Sequence, residues 1–370
     1  MKKNLILLFF FLAVVLPGCK EKAPVKIGFS GCLTGRLSDL GVSGRNGTML
    51  AIEEQNRRGG VQGRPIELIV KNDRHEPETA IRVDRELIAA GATAVIGHMT
   101  SSMSMAALPA ANEAKLPLVS PTTSTNKLAD IDDYLFRVVP ANRHESNHLA
   151  DYARDGLGLK AVGILYDLSN PVYTEGWQRN FTARFGEKGG KVIFSGTFTS
   201  GDDAPYLPLI QSLRDADPEG LVVVGGAIDT AMICQQLRKL GEDLPILAAG
   251  WSETTDLIRH GGSAVEGLFF SSMFDKKSRQ PSYLAFVDRF RERFGGPPDF
   301  AAACAYEATR LLLKALESPL AETDLKKAIL AVGIFNGVQG PIRINRYGDA
   351  ERERFLVTIR DGRFMVREDQ

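Results

Sequence analysis

The sequence predicts an α/β protein: two doubly wound parallel-sheet lobes joined by a multi-strand hinge. Three observations lead there. Short β-branched runs alternate with longer amphipathic runs along the chain, which means parallel sheets covered on both faces. Those runs fall into two series that part near Pro140. The chain is also long, 370 residues. About 350 remain after the leader, more than one core normally serves.

The elements follow in order. Lys2 and Lys3 precede an apolar run from Leu5 to Val15, then Leu16-Pro17-Gly18-Cys19. A basic flank and a short apolar core describe a secretory signal over residues 1–18, too short to span a bilayer comfortably. Cysteine directly after "LPG" resembles the lipobox of bacterial lipoproteins, with proline an unusual choice there. That resemblance makes Cys19 the lipid-bearing first residue and 19–24 a tether. In the first series, Val25–Ser30, Ile66–Asn72, Thr93–Gly97 and Leu116–Ser120 read as strands. Gly44–Arg58, Glu78–Ala90 and Ser102–Ala114 carry apolar residues at helical spacing between them. The second series has strands at Ala161–Tyr166, Lys191–Phe198, Gly220–Gly226 and Pro245–Gly250, with helices at Glu175–Lys188, Asp229–Leu240 and Ser282–Phe294. Gly267–Phe274 and Gly340–Asn345 read as later crossings. The tail "ERFLVTIRDGRFMV" has the alternation and Asp-Gly turn of a hairpin. Lobes joined by several crossings can close like a hinge around a ligand.

Composition narrows the function. Lysine plus arginine and aspartate plus glutamate each number 45, with no basic block, which argues against nucleic acid as the main partner. Cys32, Cys234 and Cys304 are far apart and fit no zinc spacing, so they read as small buried residues, with a disulfide between two of them the alternative. There is no phosphate-binding P-loop, HExxH or GxSxG, so neither a cofactor nor a metal is expected.

Two hydroxyl-rich clusters carry the chemistry. Thr100–Ser102 follows one strand and opens a helix; Ser120–Ser124 follows the next. In doubly wound sheets, ligands bind beyond the carboxyl ends of strands. Free N–H groups at a helix start, with hydroxyls beside them, suit an anion and a carboxylate in particular. Either cluster alone reads equally well as helix capping. A serine nucleophile would need a base and an orienting acid. His98 lies three residues before Ser101, but no acid partner is indicated, so no enzyme is expected.

Over nearly the whole chain after the leader, the sequence resembles the type I periplasmic solute-binding proteins of ABC importers, in their leucine/isoleucine/valine-binding branch. The resemblance runs through "IGFSGCLTG", "NRRGGVQGRPIEL", "KND", "VIGHMTS", "LPLVSPTTS", "FRVVP", "AVGILYDLSNPVYTEG" and "YEATRLLLKAL", in that order. It implies a first lobe of residues 25–140 plus 273–340 and a second of 141–272 plus 341–370, with the ligand between them. It places a carboxylate-binding hydroxyl at Ser101, a backbone contact at Thr122, a hydroxyl at Ser124 and a closing aromatic at Tyr173. That aromatic falls in a loop, "LSNPVY", about two residues longer than in the family. Three departures remodel the side-chain end. Leu40 and Ala227 stand where the branched-chain binder has tyrosines, and Trp251 stands where its ammonium-pairing acid should be. Glu253 and Asp256 are the acids near that point, and losing the acid would leave a buried ammonium unpaired.

The implied function is an extracytoplasmic, lipid-anchored receptor that captures a small carboxylated ligand and presents it to a membrane permease. The ligand is a branched-chain or other amino acid, or alternatively an aromatic or short-chain acid or amide. A ligand-sensing co-receptor on the same fold is the other reading.

Overall fold

A computed structural model describes residues 22–201 and 203–367. The signal at 1–18, Cys19 and the first part of the tether lie outside the described residues. The chain begins with β1 (Val25–Gly31), α1 (Ser38–Arg57), β2 (Ile66–Asn72), α2 (Pro77–Ala89), β3 (Ala94–Ile96), α3 (Ser101–Ala114), β4 (Leu118–Ser120) and β5 (Leu135–Arg137). These strands form one parallel sheet, ordered β2-β1-β3-β4-β5. The β3 and β4 residues are buried, and apolar up to the terminal Ser120, because helices cover both faces of the sheet.

Helix α1 starts six residues before its expected beginning at Gly44. The reason is packing. Gly41 and Gly47 lie on faces where no side chain fits: a Cβ at Gly41 would sit 1.7 Å from the Cys32 carbonyl, and one at Gly47 2.1 Å from the Ala302 carbonyl. Glycines that weaken helix propensity here permit close backbone approach, and they set Leu40 at the cleft.

The second lobe contains α4 (Asn142–Asp151), β6 (Ala161–Asp167), α5 (Pro171–Glu187), β7 (Lys191–Phe198), α6 (Tyr206–Asp215), β8 (Gly220–Val224), α7 (Ala227–Lys239), β9 (Ile246–Ala248), α8 (Thr255–Gly261) and β10 (Phe269–Ser272). The chain then returns to the first lobe with α9 (Pro281–Phe294), α10 (Phe300–Leu316) and α11 (Leu325–Val332); α10 lies along α1. β11 (Ile334–Asn336), β12 (Pro341–Ile344) and β13 (Ala350–Glu351) make a small antiparallel sheet. β14 (Phe355–Arg360) and β15 (Arg363–Val366) close the chain as the expected hairpin, with Arg360 paired to Arg363 across Asp361-Gly362. The larger sheet is ordered β15-β14-β10-β9-β8-β6-β7, and β14 runs antiparallel to β10.

One lobe boundary differs from the expected division. Residues 341–351 do not join the second lobe; β12 pairs with β11, and the loop before β13 is tied to the first sheet. The cause is Arg137, fully buried on β5, whose guanidinium donates to Asp349 at 2.8 Å. A buried arginine needs its counter-ion. The chain therefore crosses between lobes at 138–141, 273–280 and 352–354.

Candidate functional site

A cavity lies between the lobes, and residues from both sides line it. All six expected ligand-binding positions meet there: Ser101, Thr122, Ser124, Tyr173, Trp251 and Glu253. Leu40 lines it too. Ala227, at the start of α7, is buried but not among the lining residues.

The hydroxyl clusters divide into two jobs. Ser120, Thr123 and Ser104 satisfy one another and the backbone: Ser120 donates to the His98 carbonyl at 2.7 Å, and the Ser104 and Thr123 hydroxyls meet at 2.7 Å. These groups hold the β3 and β4 ends together. Ser101 Oγ accepts long bonds from the Ser124 and Thr125 amides at 3.4 and 3.3 Å, which leaves its own proton to donate. The Ser124 hydroxyl makes no hydrogen bond among the described residues. The Thr122 hydroxyl turns away to the Met99 carbonyl at 2.6 Å, so only its backbone is available. Helix capping does not explain the first cluster, because Thr100 makes no side-chain cap bond to α3.

The helix start is less open than the sequence implied. The Ser102 amide at the head of α3 donates to Asn170 Oδ1 from the opposite lobe at 3.0 Å. Asn170 precedes α5, where Pro171 occupies a position that needs no N–H donor. Tyr173 therefore sits on the first turn of that helix, not in a loop. Its ring meets Trp251 edge-on, with centroids 6.0 Å apart. Trp251 lies in the short turn after β9.

Glu253 follows that turn and is only 2% exposed. Its Oε1 has no hydrogen-bond partner. Burial pushes its carboxyl up to about 7, with Lys276 opposing the shift. Asp256 is elsewhere, on α8, paired with Arg259 at 3.0 Å. The choice between the two acids is thus made by position: Glu253 faces the cavity.

Several residues carried no signal in the sequence. Glu145 on α4 lines the cavity, accepts from the Gly250 amide at 2.6 Å, and lies 3.4 Å from the Tyr173 hydroxyl. Burial raises its carboxyl, partly offset by Arg354. Arg354 precedes β14 and donates to the Ser271 carbonyl at 3.1 Å. Both come from segments with no recognisable motif, each beside a different crossing. Only the folded chain brings them together.

His98 is no general base. Its ring is fully buried and meets Asp73 at 2.8 Å and Asp84 at 3.1 Å. Burial opposes its charge, but the two carboxylates overcome that and raise it to about 10. Cys32, Cys234 and Cys304 are free and buried.

The lobes touch around the cavity. Arg36 pairs with Asp229 at 3.0 Å, Thr254 donates to Asp39 at 3.0 Å, and Thr125 donates to the Val172 carbonyl at 2.8 Å. This is a closed arrangement, with polar groups from both sides aimed inward.

Known proteins share this plan. The chain is 22% identical over 337 residues to a leucine-, isoleucine-, valine-, threonine- and alanine-binding protein of Pseudomonas aeruginosa, covering 90% of this chain and 89% of the relative. A leucine binding protein from Thermotoga maritima superposes with a TM-score of 0.85 at 28% identity, covering 93% of this chain and 97% of the other. A branched-chain amino acid transporter substrate binding protein from Streptococcus pneumoniae, in complex with isoleucine, gives 0.86 at 25% identity, covering 93% and 99%. The family model described as periplasmic binding protein matches residues 24–363, and with two lobes meeting around a shared cavity this chain belongs to that family.

Proposed function

We propose that this chain is the extracytoplasmic receptor of an ABC importer, and that it closes over a small α-amino acid. The observation that carries the reading is the Glu253 carboxylate. It is buried, its Oε1 has no partner, and it faces the same cavity as the Ser101 and Ser124 hydroxyls. A zwitterion satisfies both ends. Its carboxylate accepts from the Ser101 and Ser124 hydroxyls and the Thr122 backbone, and its ammonium pairs with Glu253. Each charge-assisted bond contributes about 1.5–3 kcal/mol, gross of desolvation. Tyr173 and Trp251 cover the ligand from the second lobe. The names of the three relatives described above, each an amino-acid binder, support the same class.

The mechanism is capture. An open form admits the ligand, and the lobes turn about the three crossings. The closed form, stabilised by contacts the ligand makes better there, is presented to a membrane permease. No bond of the ligand changes. Cys19 anchors the receptor through its lipid; Cys19→Ser is expected to release it from the membrane fraction.

The test is thermal unfolding of the refolded, ligand-stripped protein against α-amino acids and their deaminated analogues. Ligand at about a hundred times Kd adds about 2.7 kcal/mol of stability. Stabilisation by amino acids and not by the analogues is the expected result. The reverse pattern would assign the cavity to simple carboxylates and remove the role of Glu253.

A further inference from the structure

Beyond the hydroxyls and Glu253, the cavity wall holds a second polar device. Glu145 and Arg354 both line it, and each feels the other's charge, but among the described residues no salt-bridge contact joins them. Opposite charges in a low-dielectric cleft attract strongly, so something must hold them apart. Each is tethered. The Gly250 amide grips Glu145 Oε1 at 2.6 Å, and the Ser271 carbonyl and hydroxyl grip the Arg354 guanidinium at 3.1 and 3.3 Å. The Ser271 hydroxyl is itself fixed by His148 at 2.8 Å. The two groups are thus anchored separately on the cavity wall, and Arg354 Nε is buried with no hydrogen-bond partner.

Such a wall presents an acceptor and a donor with no net charge between them. We propose that Glu145 and Arg354 recognise a neutral donor–acceptor group at the far end of the ligand, a carboxamide, so that the ligand is an amide-tailed α-amino acid and not a branched-chain one. The carboxamide NH2 donates to Glu145, and its C=O accepts from Arg354. An alkyl tail would leave the arginine N–H unsatisfied in a closed cavity, the loss by which polar sites reject apolar analogues. A carboxylate tail would place a second negative charge beside Glu145. This inference rests on the amino-acid reading above and narrows it.

The experiment is isothermal titration of the refolded, ligand-stripped protein with L-glutamine, L-asparagine, L-leucine and L-glutamate. At least one carboxamide is expected to bind at least tenfold tighter than leucine and glutamate. Glu145→Gln keeps an acceptor for the Gly250 amide, and Arg354→Lys keeps the charge but loses the fork. In both, the ratio of carboxamide to leucine affinity is expected to fall at least fivefold, a ratio that mere loosening of the fold would not change. Leucine binding tighter than both carboxamides would overturn the inference and leave the amino-acid reading standing. Binding of deaminated carboxylates with no amino acid bound would overturn both.

Discussion

Glu253 combines the site's chemistry and its cost in one side chain. Its carboxyl is raised from the ordinary range near 4.5 to about 7 by burial, so the ligand-free fold holds a proton there that the unfolded chain has lost. The unfolded state binds fewer protons between those values, and ligand-free stability therefore falls as pH rises through that window. An ammonium ligand needs the charged form. Affinity for an α-amino acid is expected to strengthen up to about pH 7 and to weaken about tenfold per pH unit below it. Glu253→Gln should flatten that profile in titrations at several pH values. His98 shows the same sign in a higher pH window. Its imidazolium, raised to about 10 between Asp73 and Asp84, stabilises the fold fully below about pH 6.5, and the contribution is lost as pH climbs toward 10. His98→Asn leaves two buried carboxylates facing each other, and a loss of about 3–5 kcal/mol is expected in denaturant unfolding.

Among the elements, α3 and the turn after β9 bring Ser101 and Trp251 to the cavity from opposite lobes. The strand–helix alternation was legible because parallel strands are buried on both faces and read as apolar runs. The Asp361-Gly362 hairpin was legible because its turn chemistry is local. What stayed hidden depends on contacts distant in sequence. The early start of α1 runs through Gly41, whose missing side chain lets the helix lie against the Cys32 carbonyl. The 341–351 segment belongs with the first lobe because Arg137, far earlier in the chain, needs Asp349. The hydroxyl clusters pointed to Ser101 and Ser124, and the family resemblance to Tyr173 and Trp251, all of which line the cavity. Glu145 and Arg354 had no pattern to announce them. One element-level contact is directly testable. Asn170 caps the Ser102 amide across the cleft, so Asn170→Ala should weaken binding by about 1 kcal/mol, with little effect on the stability of the open form.

For the whole molecule, closure is an equilibrium, and the contacts that exist only between lobes set its position. Arg36 reaches from the first lobe to Asp229, which also receives the Tyr206 hydroxyl, while Thr254 reaches back to Asp39. Arg36→Gln lowers the closed fraction and should weaken every ligand by a similar factor, roughly 1 kcal/mol, without reordering them. That pattern separates a latch from a specificity residue such as Glu253. The central claim is that the cavity recognises a zwitterion, with hydroxyls at one end and a buried acid at the other. It is tested most directly by titrating the stripped protein with the amino acid that stabilises it most, using wild type and Glu253→Gln in parallel. Binding by wild type that weakens by roughly 1.5–3 kcal/mol in the variant is the expected result. Equal affinity in the two proteins, or tighter binding of the deaminated analogue by wild type, would contradict it.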